Sequence, residues 1–136
     1  CDERIFVDPD NWDENFTDQW QTQVLRQAQR YPDLPISNNV KGVVSLYDVT
    51  DDWIPIYDKS DLPGFYMAIG TSGNQFKNAP VAGVLMSELI EYCENGNNHD
   101  KEPLKINLKY INKDINLKFY SRNRQINEES SMSVLG

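Results

Sequence analysis

A run of small and polar residues at positions 70–80 is the part of this chain best suited to bind a ligand. It reads Gly-Thr-Ser-Gly-Asn-Gln-Phe-Lys-Asn-Ala-Pro, and it joins an apolar run at residues 65–69 to a helical pattern at residues 81–93. Glycine lets a backbone approach a ligand closely, and the first amides of a helix lack partners within the helix. The turn can therefore present N–H groups to an electron-rich group. The alternative is a structural joint in which Gly70 ends the strand and Gly73 completes a turn.

The residues after this turn predict a helix that packs on more than one side. Asn78 is placed to cap it, Pro80 suits its first turn, and Asn95-Gly96 ends it. Its apolar positions form two stripes, namely Val81, Val84, Leu85, Leu89 and Tyr92, and then Ala82, Met86, Ile90 and Cys93. Such a wide apolar arc would hold the helix N-terminus, with the positive end of its dipole, firmly beside the turn.

Five segments follow one another in a fixed order around the turn. They are Leu46-Tyr47-Asp48-Val49-Thr50, Ile54-Pro55-Ile56, Gly64-Phe65-Tyr66-Met67-Ala68-Ile69-Gly70, Ser72-Gly73 with Phe76-Lys77-Asn78-Ala79-Pro80, and Gly83 with Glu88-Leu89-Ile90. Over residues 42–90 they resemble the C-terminal part of the FAD-dependent amine and amino-acid oxidoreductases, the group of D-amino-acid oxidase, glycine oxidase and sarcosine oxidase. The run Phe119-Tyr120-Ser121-Arg122 also resembles the tails of some members.

The resemblance implies a role for each residue of the turn. In that family the turn passes beside the pyrimidine end of the flavin, where hydrogen-bond donors stabilise the negative charge that develops as the flavin accepts a hydride. The implied cofactor contacts are Gly70, Ser72, Gly73, Asn74, Gln75 and Phe76. Lys77 is implied to bind a substrate carboxylate, with a solvated side chain as the alternative. Tyr47 is a second candidate for the substrate pocket, with core packing as its alternative.

Three features depart from the family pattern. Asp51 stands where a proline often follows the threonine in relatives. Asn74-Gln75 stands where many relatives have His-Gly, and asparagine keeps one hydrogen bond of a histidine but not its titration near neutral pH. None of the seven glycines forms the Gly-x-Gly-x-x-Gly turn that holds the FAD pyrophosphate, and the chain begins at Cys1. We therefore expect the C-terminal piece of a longer protein, with FAD held by the full-length parent rather than by this chain alone.

The predicted architecture is an α+β fold derived from an α/β protein, with a mixed sheet, two main helices and a C-terminal β-hairpin. The first helix is expected at residues 16–30 with Asn15 as its cap, and strands are expected at residues 41–49, 54–57 and 65–69. Alternating apolar residues on both sides of Asn112-Lys113-Asp114 predict the hairpin. The resemblance implies that residues 1–50 end a substrate-binding domain. Residues 51–136 would then form the C-terminal part of the FAD-binding domain, with a polar tail.

Composition limits the choice of partners. The formal net charge is −8, and residues 1–99 carry six Lys and Arg against sixteen Asp and Glu, so nucleic acid is not an expected partner. There is no apolar run of bilayer length, which favours a soluble protein without a membrane partner. Cys1 and Cys93 are expected as reduced thiols in the cytoplasm, because nothing else in the sequence indicates an oxidising compartment.

Neither His99 nor the aspartates offer a strong metal or catalytic pattern. His99, the single histidine, falls in the polar run after the second helix and is expected to be an exposed loop residue. Five aspartates do not match the spacing of a calcium loop, so turn or cap roles are expected for Asp48, Asp51, Asp52, Asp58 and Asp61.

The leading hypothesis is an FAD-dependent oxidoreductase that takes a hydride from the carbon beside an amine and gives an imine. Its expected partners are FAD, a small amine or amino acid, and the N-terminal Rossmann portion. Apolar surface normally covered by that portion would favour self-association. The alternatives are a non-catalytic binding or assembly module that keeps the fold, and a small carboxylate-binding protein that uses Lys77.

Overall fold

The computed structural model of the protein describes residues 5–35, 41–73 and 75–131. Contacts divide these residues between Leu46 and Tyr47 into two compact units. The predicted α+β class is confirmed, with two main helices and a C-terminal β-hairpin. Within the described ranges the strands pair as two separate antiparallel ladders of two strands each. The assignment of the two stretches of chain to a substrate-binding and an FAD-binding domain stays a prediction.

The first unit, residues 5–46, contains helix α1 at Asp18–Ala28. Its cap is Thr17, whose hydroxyl oxygen accepts a hydrogen bond of 3.1 Å from the backbone N–H of Trp20. The expected cap, Asn15, is wrong, because its side chain donates to the Asp13 carboxylate instead. The helix therefore begins two residues later than predicted, since the extended backbone at Thr17 already brings a hydroxyl to the first turn.

Two aromatic rings pack at the start of α1. The rings of Phe16 and Trp20 lie 4.8 Å apart, and a Cβ at Gly42 would come within 2.6 Å of the Trp20 ring. No residue of α1 is buried. The strand predicted at residues 41–49 is wrong, because no described segment pairs with it, and β-branched residues form a strand only beside a partner.

The second unit begins with a hairpin of strand β1, Ile56–Lys59, and strand β2, Tyr66–Ile69. Ile56 lies opposite Ile69, and Lys59 lies opposite Tyr66. The uninterrupted apolar run at residues 65–69 predicts a strand that is covered on both faces. This prediction is wrong, since Ala68 and Ile69 are exposed. Within the described ranges β2 pairs along one edge only.

Helix α2, Ala79–Glu94, follows a 3₁₀ turn at Gln75–Asn78. Pro80 lies in its first turn and Asn95 is its C-cap, followed by Gly96 at a φ of 85°, as the sequence predicts. Asn78 occupies the N-cap position, but its amide donates to the side-chain oxygen of Gln75 and does not cap the helix.

Strands β3, Lys105–Leu108, and β4, Lys113–Asn116, form the C-terminal hairpin. The second strand ends earlier than predicted, because the Asn116 side chain accepts from the N–H of Lys118 and starts a 3₁₀ turn at Leu117–Tyr120. The core joins these elements, and its buried members are Tyr57, Leu85, Leu89, Ile106 and Leu117. No helix in the described ranges is long and apolar enough to cross a bilayer.

Candidate functional site

The turn that follows β2 is built from left-handed backbone. Gly70, Ser72 and Gly73 have φ angles of 69°, 50° and 76°. A serine in this conformation is uncommon, and Ser72 is fully buried. Its hydroxyl donates to the carbonyl oxygen of Gly70, which closes the turn on itself. The turn is therefore a fixed structure rather than a flexible connection.

Asp48 holds the turn through its carboxylate and its backbone carbonyl. One carboxylate oxygen accepts from the N–H groups of Gly70 at 2.8 Å and Thr71 at 3.1 Å, and the other accepts from the Thr71 hydroxyl. The Asp48 carbonyl accepts from the N–H of Ser72. Three successive amides thus bind within the chain. The sequence predicts that the turn offers its amides to a ligand. At these three positions the acceptor is Asp48 instead.

The electrostatics of Asp48 agree with this geometry. Partial burial acts to raise the pKa of its carboxyl group, but the hydrogen bonds from Thr71 and Gly70 outweigh burial and hold the pKa below its usual value. Asp48 is therefore a carboxylate at neutral pH, and its negative charge lies behind the turn.

The other predicted site residues lie on both sides of the turn. The Tyr47 ring covers Gly73, since a Cβ there would come within 2.8 Å of the ring. Phe76 is 98% exposed and Lys77 is exposed, at the start of α2. Asn74 lies outside the described residues. The structure thus brings Tyr47 to the turn, and the binding of a cofactor or substrate by these residues stays a prediction.

A cleft of about 280 Å³ lies against the start of α2. The Tyr57 hydroxyl donates to the Gln75 side-chain oxygen at 2.9 Å, and Trp53 lines the same cleft with a φ of 60°. The wall is mostly aromatic and aliphatic, formed by Trp53, Ile54, Pro55, Tyr57, Val81, Ala82, Leu85, Phe119 and Tyr120. The Gln75 side chain is therefore directed at β1 and this cleft.

An ion network surrounds Asp58 of β1, and the sequence did not reveal it. Asp58 is fully buried, and one of its oxygens accepts from the Ser121 hydroxyl, from the N–H of Arg122 and from the Arg122 guanidinium. The same guanidinium binds Asp61 at 2.6 Å and Asp100 at 2.9 Å. Three carboxylates, which lie 64, 61 and 22 residues before Arg122 in the sequence, thus surround its guanidinium.

Asp100 also binds the Lys59 ammonium group at 2.6 Å. Hydrogen bonds from Arg122 and Lys59 hold the pKa of Asp100 at about 2. These contacts tie the C-terminal segment to β1 and to the loop after α2. The resemblance had placed Ser121 and Arg122 among matching tail residues, but only the fold shows which carboxylates they meet.

His99 is buried, with 1% of its surface exposed, so the expectation of an exposed loop residue is wrong. Its Nδ1 accepts from the N–H of Leu104 at 3.2 Å, and its ring stands edge-on to Tyr92. Its Nε2 lies 3.8 Å from Asp58 and has no hydrogen-bond partner in the described part of the chain. The polar loop gives no sign of this burial, because the groups around His99 come from α2, from β1 and from the residue before β3.

Ser121, Asp58 and His99 have the three residue types of a hydrolytic triad, but their arrangement in space is different. The carboxylate lies between the other two, and the Ser121 hydroxyl donates to Asp58 rather than to an imidazole. A serine nucleophile needs a base that takes its proton, and the single histidine does not contact Ser121. The network therefore holds the fold together and does not form a nucleophile.

Of the aspartates expected in turn or cap roles, Asp48 and Asp52 accept from nearby turn amides. Asp58 and Asp61 instead form ion pairs with Arg122, which the sequence did not predict.

Within the described ranges no group of three or more His, Cys, Asp or Glu residues is arranged to hold a metal ion. Cys93 is a half-buried free thiol whose pKa is raised by burial, so it is not activated as a nucleophile. Cys1 lies outside the described residues.

Comparison of the chain with protein-family models, with curated proteins and with solved structures gives no match. The assignment of a family therefore depends on the residues themselves.

Proposed function

We propose that this chain is the C-terminal part of an FAD-dependent oxidoreductase that oxidises an amine or an amino acid. Bound FAD would accept the hydride from the carbon beside the amine, and the product would be an imine. The chain would supply the turn at residues 70–76, which would lie beside the pyrimidine end of the flavin. The proposal includes a cytoplasmic location and an N-terminal dinucleotide-binding portion as partner.

One observation carries the proposal. Hydrogen bonds to Asp48 hold residues 70–72, and Phe76 and Lys77 lie in exposed positions at the start of a 16-residue helix. A phenylalanine with 98% of its surface in water gains little from folding, so its place beside a fixed backbone favours a ring or a partner that covers it. The dipole of α2 favours negative charge at this end.

The remaining residues would have distinct roles. Lys77 would attract a substrate carboxylate, because an ammonium group on a flexible stem can reach an anion near the helix start. Tyr47 would shape the pocket from the other side of Gly73. Asp48 would keep the turn in its binding conformation without touching the ligand, since its oxygens already accept from the turn.

One observation favours a second candidate, a module that keeps this fold without turnover. Asp48 already accounts for the N–H groups of Gly70, Thr71 and Ser72. The Tyr47 ring occupies the space that a side chain at Gly73 would need, which explains the glycine without a ligand. In this alternative the turn is a structural joint, and its exposed residues contact another part of a larger assembly.

The visible absorption spectrum of the full-length parent after gel filtration separates the two candidates. The oxidoreductase should carry a flavin spectrum that bleaches when an amino acid or an N-methylated amine is added without oxygen. A colourless protein that fails to take up added FAD would exclude the oxidoreductase.

A pair of variants tests the position of the flavin. Phe76→Asp should weaken FAD binding at least tenfold, which corresponds to about 1.4 kcal/mol, because it places a charge against the ring. Tyr110→Asp is the matched control, since Tyr110 is also fully exposed but lies after β3, far along the chain from the turn. Equal FAD affinity in the two variants would contradict the proposal that the turn lies beside the flavin.

A further inference from the structure

His99 makes one hydrogen bond, and the direction of that bond fixes its protonation state. The N–H of Leu104 donates to Nδ1, so Nδ1 carries no proton. The neutral ring must then carry its proton on Nε2. This atom lies 3.8 Å from an Asp58 oxygen and has no hydrogen-bond partner among the residues that the structure describes. The second proton of a charged imidazole would therefore have to bind at Nδ1.

That second proton is incompatible with the bond to Leu104. Protonated Nδ1 is a donor, and it would face another donor, the N–H of Leu104. Protonation of His99 must break this bond and leave a partly buried amide without its acceptor, which is costly. A single proton thus changes an attractive contact into a repulsive one.

The broken bond lies at a junction between elements. Leu104 directly precedes β3, and its carbonyl accepts from the N–H of Leu117 at 2.9 Å. Glu102, in the same loop, accepts from the Tyr92 hydroxyl of α2 through its carbonyl. Loss of the His99 contact would loosen the connection between α2 and the C-terminal hairpin.

We propose that His99 is an acid-sensitive latch, in which a proton on Nδ1 releases the N–H of Leu104 and opens the loop at residues 99–104. This inference goes beyond the proposed function and does not depend on it. It requires that the latch stay closed at neutral pH, which is decided by the groups around the ring.

Those groups come from every element packed on His99. Asp58 and Lys59 face it from β1, Asp100 from its own loop, Arg122 from the C-terminal segment, and Tyr92 from α2. Burial lowers the pKa of His99, and the nearby cations add to this effect. Asp58 and Asp100 oppose it, but Asp58 already accepts from the N–H of Lys59 and from Arg122. The latch is therefore closed at pH 7.

Two measurements on the full-length protein test the latch. Long-range ¹H–¹⁵N correlation spectra of protein labelled with ¹⁵N-histidine should show the Nε2–H tautomer of His99 at pH 7.5, with an apparent pKa below 6.5. Hydrogen exchange of the Leu104 amide, followed by mass spectrometry and corrected for its intrinsic pH dependence, should become faster as His99 titrates. One linked proton predicts a tenfold change in the opening constant per pH unit.

The control is His99→Asn, whose side-chain oxygen can still accept from Leu104 but does not titrate in this range. It also identifies the His99 resonance by its disappearance. Leu104 exchange in this variant should lose the extra pH dependence. An Nδ1–H tautomer, a His99 pKa above 6.5, or Leu104 exchange that is equally pH-dependent in the variant would each overturn the latch, and the first two need only the unmodified protein.

Discussion

Arg124 and Asp52 form a two-point ion pair between residues that lie 72 positions apart in the chain. Nη2 of the arginine lies 2.6 Å from one carboxylate oxygen, and Nε lies 3.0 Å from the other. The same carboxylate accepts from the N–H of Asn127, and the guanidinium also donates to the carbonyl of Ile54. The C-terminal segment is thus fastened to the chain before β1 by side chains and not by a strand ladder.

Removal of this arginine should destabilise the fold strongly. Arg124→Ala leaves the Asp52 carboxylate, which is 1% exposed, without its counter-ion. We expect the free energy of unfolding to fall by about 3 to 5 kcal/mol, measured by urea denaturation. Arg124→Lys should recover only part of this loss, because an ammonium group cannot make both contacts. Arg30→Ala, at an exposed position, should change the value by less than about 0.5 kcal/mol, and an equal effect at both positions would contradict the role of the pair.

Alanine at two glycines should have opposite effects. Gly73 has a φ of 76° and lies under the Tyr47 ring, so Gly73→Ala should lower the free energy of unfolding by about 1 to 3 kcal/mol. Gly83 lies within α2 with nothing near a new Cβ, so Gly83→Ala should raise it by about 0.5 to 1 kcal/mol.

Gly64→Ala separates the two causes at Gly73. Gly64 has a φ of 77°, and no atom lies near a Cβ added there. Gly64→Ala should therefore lower the free energy of unfolding through backbone strain alone, by about 1 to 2 kcal/mol. Thermal unfolding of the three variants checks the order. A stabilising effect of Gly73→Ala would contradict the described turn.

Stability should fall in acid through Asp100. The folded pKa of this group is about 2, below the usual 3.8, so the unfolded chain binds the proton more tightly. The ion pairs of Asp100 therefore stabilise the fold fully above about pH 5, and this contribution is lost as the pH falls toward 2. We would measure the urea concentration at the unfolding midpoint between pH 2 and 7. This midpoint should change less with pH in Asp100→Asn than in the unmodified protein. Asp33→Asn, at an exposed position, should leave this pH dependence unchanged, and an identical pH dependence in all three proteins would contradict the assignment.

The core should be most sensitive at α2. Leu89 is fully buried, so Leu89→Ala should cost about 2 to 5 kcal/mol in the free energy of unfolding. Val84 lies on the same helix but is 48% exposed, and Val84→Ala should cost clearly less. Similar losses at the two positions, by urea denaturation, would show that the surface of α2 around Val84 is also covered in solution.

The sequence by itself determined the ends of helix α2, the C-terminal hairpin and the left-handed turn, because each depends only on residues close together in the chain. Pro80 and Asn95-Gly96 place the ends of α2, since each acts on the backbone within a few residues. Alternating apolar residues determine the C-terminal hairpin. The small residues after β2 mark a left-handed turn, because glycine tolerates that backbone. Position and type of these elements were therefore available from the sequence.

Only the tertiary structure decided which groups these elements meet. The partner of the turn is Asp48, and it lies 22 residues before Gly70. Arg122 reaches Asp58 across 64 residues. Buried His99 lies beside Tyr92 of α2 and Asp58 of β1, and it accepts from the backbone of Leu104. A polar or charged residue looks the same in sequence whether water or a distant counter-ion surrounds it. Hydrogen bonds and burial between remote segments form only when the chain is folded, so no local pattern could assign them.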